Sequence, residues 1–397
     1  MKRFVAACLA LFLAAVLLAV PAFAEGEVQT AEDFLQAVEA GQETIKLSGD
    51  ITLTQSFTLK KNVTIDLNGN KLTMTYCNVG QTATPVSALL TDTVGNGTLE
   101  SNTPYQTFSI AKGSSLQISG VSQLNTSSSI GNNGSLTITN SKLVCDSATG
   151  MPVIMNNGTL QLESGAVLES SAYVTVQNSG TIVVGTGAQV KNTNAQGAAL
   201  ANKTMKQADG TVTAAKATIS GGTVEAAGWA VVQDTDLNNV TDPQGVAPSL
   251  ILESGAIIST GKDTSGVYAT DGLVQVKGGS ITAEGTGVAL ASTAKTAAAL
   301  DLTAGSITGK DSGVYVDANA KATIAGGSVK GPAGNAITGA AQTNVTVVGG
   351  NLVEGADGTV TVQKPQNPSV NTKPETQPAT SATAASGKTN PKTGVRA

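Results

Sequence analysis

The sequence predicts an all-β chain: a right-handed, single-stranded parallel β-helix of about twelve coils, opened by a short capping helix. Three observations carry this expectation. The 397 residues hold 45 glycines, abundant Thr, Ser, Val and Ala, and only 3% aromatics, which suits many short strands between tight turns. An apolar-x-apolar pair followed by Gly or another small residue recurs along most of the chain. The markers Gly255, Gly279, Gly305, Gly327 and Gly350 recur at uneven intervals of 22 to 26 residues. A left-handed hexapeptide solenoid would keep a strict beat, whereas loops of variable length between three sheets suit the right-handed form.

Residues 1–24 read as an export signal. Lys2 and Arg3 give the positive start, Phe4 to Val20 the apolar core, and Ala22-Phe23-Ala24 the small-x-small site, with cleavage expected between Ala24 and Glu25. Pro21 and the A-x-A motif argue against a retained anchor. No later stretch reaches the ~20 apolar residues of a membrane span.

The solenoid is expected over residues 25–362, with its cap at 31–40. Thr30 and Asp33 form a weak capping box, Phe34, Leu35 and Val38 share one helical face, and Gly41 is placed to end the helix. Covering the open apolar end of the stack is the role such a helix can fill. The coils then follow. Val63, Ile65 and Leu67 precede Gly69; Leu116 and Ile118 precede Gly120; Leu136 and Ile138 precede Ser141; Leu160 and Leu162 precede Gly165. The pattern continues to Val345 and Val347 before Gly350, and an apolar residue such as Val167, Ile281 or Leu352 often stands two places after the marker. A third pair, such as Val267 and Ala269 or Val314 and Val316, completes many units after another glycine. Trp229, following Gly228, reads as a core residue by analogy with Val267. Residues 234–248 read as a projecting loop, and Tyr76 to Asn96 as a second insertion. Cys77 and Cys145 fall about three coils apart, roughly 14 Å along the stack, and so read as two buried thiols rather than a disulfide.

Gly49-Asp50-Ile51, the run from Val63 through Asp66, Leu67 and Gly69 to Leu72, and the Ile-x-Gly-Gly-x-Val units at Ile219–Val224 and Ile324–Val329 resemble pectate-lyase-like β-helix proteins of bacterial surfaces. The resemblance spans residues 31–360. It implies the pectin-lyase-like solenoid, a fold that hosts lyases, hydrolases, adhesins and phage tail parts.

Composition bears on the activity. A pectate lyase of that family abstracts a proton with Arg and binds Ca²⁺ through Asp; the related galacturonases use clustered carboxylates and His. Here Arg3 and Arg396 are the only arginines, and there is no histidine. Both the usual metal ligand and the side chain best tuned for proton transfer near neutrality are missing. Lys262, Lys277 and Lys310 fall in turns or outward positions, where a solvated ammonium stays protonated. The expectation is therefore a non-enzyme with no cofactor and no metal, with a polysaccharide lyase using an unusual base as the alternative. Asp234, Asp236, Asn238, Asn239 and Asp242 lack the spacing of a Ca²⁺ loop and read as turn residues. Lys and Arg total 23 against 28 acidic residues, a balance that argues against nucleic acid.

One pair of segments suggests a ligand face. In Ser265-Gly-Val-Tyr268-Ala-Thr-Asp271 and Ser312-Gly-Val-Tyr315-Val-Asp317, inward valines put Tyr268 and Tyr315 outward on one sheet, two coils and roughly 10 Å apart. Aromatic faces flanked by carboxylates can hold sugar rings. Glycans or extracellular proteins are the expected partners, with a purely architectural envelope role as a further alternative.

From residue 363 the repeat gives way to a Pro-, Thr- and Ser-rich segment that reads as a disordered spacer. Asn390, Pro391, Lys392, Thr393 and Gly394 resemble the sorting motifs cut by sortases of Gram-positive cells. That resemblance implies sortase and peptidoglycan as partners and a cell-wall location, with simple secretion as the alternative. In that family a hydrophobic span follows the motif; here Val395, Arg396 and Ala397 follow it.

Overall fold

Alternating apolar residues can bury one face of a strand only if another strand stacks on it, and this chain solves the problem by coiling. The computed structural model describes residues 26–101, 106–125, 129–145, 150–339 and 344–364. Over these, three short strands per turn build a parallel β-solenoid of about twelve coils. The third strand of each coil forms a separate 12-stranded sheet, from Phe57–Leu59 to Ile337–Thr338. In two coils the first and second strands merge into one long bent strand, Lys216–Ala226 and Ser249–Ser259.

Each sheet keeps one apolar file in register through the interior. In the first sheet Ile118 pairs with Ile138, Ile138 with Leu162, and Leu162 with Val184. Leu143, Leu168, Val190 and Val224 do the same in the second. Ile154, Val176, Leu200, Val231 and Val267 follow in the third. All of these are fully buried, each worth about 1.5–3 kcal/mol relative to exposure.

The first-to-second turn needs left-handed backbone. Gly165 has φ 74°, and on the coil below Asn140 has φ 45°. A Cβ on Gly165 would lie 2.9 Å from the Asn140 side-chain oxygen. The turn marker of that coil is thus Asn140, not Ser141, because Asn is the residue after Gly that best tolerates this conformation.

Both ends are covered. The helix Ala31–Ala40 is held by the reciprocal Thr30–Asp33 capping box and stopped by Gly41 at φ 68°. Its buried Phe34 meets Phe57 of the first complete coil edge-on, with ring centroids 5.4 Å apart. At the other end the chain reverses: Thr359–Gln363 runs antiparallel to Ser328–Lys330, and Asn351–Glu354 pairs outside it. Leu352 therefore belongs to a closing hairpin and does not begin another coil; Val360 stacks on Val329 in its place.

Other expectations are corrected as well. The segment Tyr76 to Asn96 is not an insertion. Cys77–Val79 is a third-sheet strand and Ser87–Thr91 a first-sheet strand, with only short turns around them. The loop expected at 234–248 starts at Asp236, since Asp234 and Thr235 finish the strand Trp229–Thr235. A second loop, residues 205–215, precedes it by one coil and is held by a Lys206–Val212 bridge. Cys77 and Cys145 are both buried and form no disulfide.

Candidate binding face

The side chains that the coils place outward on the third sheet form the candidate site. Gly266, Gly287 and Gly313 open consecutive strands there and face inward; a Cβ would lie 2.5–2.6 Å from the side chains of Ile281, Ile307 and Val329. With no Cβ at these positions, the third sheet lies directly on the second, and the next residues, Val267, Val288 and Val314, are buried. Alternation then turns Tyr268, Ala289 and Tyr315 outward. Tyr268 pairs in register with Ala289, and Ala289 with Tyr315. Tyr268 is half-buried and Tyr315 is 36% exposed. The same outward row continues toward the N-terminus through Val232 and Ala201.

Trp229 belongs with this surface and not with the core. Val231, two residues later, is the partner of Val267, because Ala230 and Val231 both turn inward where the strand begins. This local break in alternation leaves the indole half-buried. Tyr173 (61% exposed) and Tyr76 stand at the entrance of two other third-sheet strands. Among the described residues, every Tyr and the Trp thus lie on or beside this sheet, while Phe34, Phe57 and Phe108 are buried.

The two aspartates do not flank the tyrosines as a pair. Asp271 is 2% exposed and fully engaged: its carboxylate accepts from the Thr235 hydroxyl at 2.6 Å and from the Gly272 amide at 2.8 Å. It holds two coils together at the turn and is closed to a ligand. Asp317 is half-buried, follows Val316 at the end of its strand, and accepts from the Ala318 amide at 2.7 Å. Beside the row, Lys203 and Asp234 pair with each other at 3.2 Å. Hydrogen bonds from the Asn239 side chain and the Asn238 amide, with Lys203 nearby, hold the Asp236 carboxyl below its ordinary range. That loop consumes its oxygens in its own turn, and no group of three or more His, Cys, Asp or Glu able to hold a metal occurs among the described residues.

Behind the face runs a feature that sequence reasoning missed. Asn132, Asn156, Asn178, Asn202 and Gln233 are all fully buried where the third sheet turns into the first. Each Asn amide donates to the next side-chain oxygen, at 2.7, 2.6, 2.8 and 3.0 Å. Each Asn also donates to a first-sheet carbonyl, Thr159, Thr181, Lys216 or Ser249, and so ties coil to coil. The signal was present as Asn132-Asn-Gly134, Asn156-Asn-Gly158 and Asn178-Ser-Gly180, spaced one coil apart.

Elsewhere a shallow groove of about 770 Å³ crosses the outside of the first sheet near the helix end, floored by Thr64, Leu89 and Gln117. Its charged groups, Glu43 and Lys61, are both exposed. Every described lysine is half-buried or exposed. No described helix is long and apolar enough to cross a membrane. The cleavage site at Ala24 and Glu25 and the motif Asn390–Gly394 lie outside the described residues. Comparison with known proteins leaves this geometry to stand alone: no protein-family model, no curated protein and no solved structure matches the chain.

Proposed function

We propose that the chain is an exported, non-catalytic surface or secreted protein of adhesin type, which holds glycans or extracellular proteins on the outer face of its third sheet. One observation carries this reading. The described Tyr and Trp side chains lie on or beside one sheet of a rigid ladder, whereas the outward rows of the other two are mostly Ser, Thr, Gln and paired Lys and Glu. Amphipathic aromatic rings on a preordered surface bind with little loss of conformational entropy, and repetition along a ladder turns weak contacts into avidity. The lysines support the non-catalytic part, since a lysine acting as base must be desolvated and all those described touch solvent. The export signal at residues 1–24 and the Asn390–Gly394 motif support a surface location, with the Pro-rich segment between as tether.

The test is direct. The mature chain and its Tyr268→Ala/Tyr315→Ala variant are applied to glycan arrays and to immobilised matrix proteins. Binding by the parent that the folded variant loses supports the reading; equal binding by both overturns it. Incubation with polyuronates and Ca²⁺ checks the non-catalytic part, because sustained release of unsaturated product would make the chain a lyase.

A further inference from the structure

We infer that the third-sheet face takes a neutral, extended, equatorially linked pyranose chain of the cellulose or chitin type, lying along the solenoid axis with alternate rings over Tyr268 and Tyr315. This rests on the reading of that face as the binding surface, and adds the chemical class and direction of the ligand.

The first argument is commensurability. Parallel strands stack at ~4.8 Å, so each coil advances the surface by nearly the length of one extended pyranose ring, and a glycan along the axis stays in step. An extended polypeptide does not: its side chains on one face recur every ~6.6–6.8 Å, and it drifts out of register within a few coils.

The second argument is periodicity. Tyr268, Ala289 and Tyr315 are successive register partners, so the row reads large, small, large. In a chain joined through equatorial oxygens each ring is turned over relative to the last, and every second ring presents the same face. A two-coil aromatic period therefore meets a two-ring ligand period. The C–H faces of alternate rings lie on the tyrosines, and the intervening ring bridges the step at Ala289, whose small side chain is covered (8% exposed) and makes no platform of its own.

The third argument is charge. Ala201, Val232, Tyr268, Ala289 and Tyr315 supply five consecutive coils without a charged side chain in the row. Lys203, on the adjoining outward row, is already paired with Asp234. Asp317, just beyond Tyr315 on the same side of the strand, adds negative charge. A polyuronate finds no unpaired cation along this row and is repelled at its end, whereas a neutral chain meets no such repulsion.

The experiment is calorimetric titration of the mature chain with soluble oligomers of glucose and of N-acetylglucosamine, two to six rings long, and with oligogalacturonate. Three rings are the shortest length that reaches both tyrosines. Affinity should rise about tenfold between two and four rings in at least one neutral series. Tyr268→Ala and Tyr315→Ala should each remove that step, and Ala289→Tyr should remove it by filling the gap. Circular dichroism and urea midpoints of the variants confirm that the coils remain intact. No length step, or oligogalacturonate binding as tightly as the neutral oligomers, overturns the inference. If a protein or another glycan binds and is lost in the double variant while the neutral oligomers show no step, only the ligand class is wrong. Binding indifferent to both tyrosines sinks the inference and the proposed function together.

Discussion

At the scale of single residues the strongest constraint is polar and internal. A buried amide must find partners, and the inner members of the ladder, Asn156, Asn178 and Asn202, each give and receive within it. Asn156→Ala removes donors to Asn178 and to the Thr181 carbonyl, and takes from the Asn132 amide one of its two acceptors, leaving it the Thr159 carbonyl. It should cost about 2–4 kcal/mol, read as a lowered urea midpoint. Asn157→Ala, one residue along and exposed, should change stability by less than about 0.5 kcal/mol. Asp271 is similar in kind. Asp271→Ala would leave the buried Thr235 hydroxyl without its acceptor, while the Gly272 amide keeps the Ala297 carbonyl, at a cost of about 1–3 kcal/mol by the same assay. A purely ligand-facing carboxylate would show no such loss.

At the scale of elements, the turns and caps decide how closely coils approach. A Cβ on Gly158 would stand 2.1 Å from the carbonyl oxygen of Gly134 on the coil below. Gly158→Ala must therefore push neighbouring coils apart at the ladder, and its unfolding midpoint should fall further than that of Gly49→Ala, where the same methyl would meet its nearest neighbour, the Gln29 side chain, at 3.8 Å. The C-terminal hairpin is pH-sensitive. The Thr359 hydroxyl, then the Lys330 ammonium and the Thr359 amide, hold Asp357 down to a pKa of about 2, against an ordinary value of 3.8. A depressed folded pKa contributes stability above the unfolded value, and that contribution disappears as pH falls through the folded one. Amide protection across Thr359–Gln363 should thus weaken between about pH 4 and pH 2, and Asp357→Asn should flatten that dependence. Unchanged hydrogen exchange over this window would show that the carboxylate does not hold the hairpin.

At the scale of the molecule, stability is a sum over neighbouring coils, and the ends carry the risk. The hairpin covers the edge of Ser328–Lys330, which would otherwise offer unpaired backbone groups to another chain. A chain ending at residue 350 should self-associate, visible by sedimentation, while the full chain stays dispersed. The two thiols report on the interior: both are buried, and burial pushes the Cys77 thiol far up. Neither should react with a thiol reagent until the stack opens, so labelling should follow the unfolding curve. Fast labelling in native buffer would place Cys77 or Cys145 outside the packed files.

The sequence by itself determined the class of fold and the coil count, because period-two alternation can be satisfied only by stacking and because each coil carries its own turn marker. It also determined the inward sense of Val267 and Val314, and so the outward sense of Tyr268 and Tyr315. Only the tertiary structure decided what depends on which coil lies beneath which. Asp271 turned inward because Thr235, 36 residues earlier, sits one coil away. Trp229 came outward because the two residues after it, Ala230 and Val231, both turn inward. Tyr76 to Asn96 joined the stack because Cys77 takes a place held by Phe57 and Phe108 on the neighbouring coils, and Ala88 one held by Val63 and Leu116. The repeated Asn-x-Gly units at 132, 156 and 178 were visible, but the asparagines form a ladder only once coils of unequal length are brought into register, with hydrogen bonds between residues 22 to 31 positions apart.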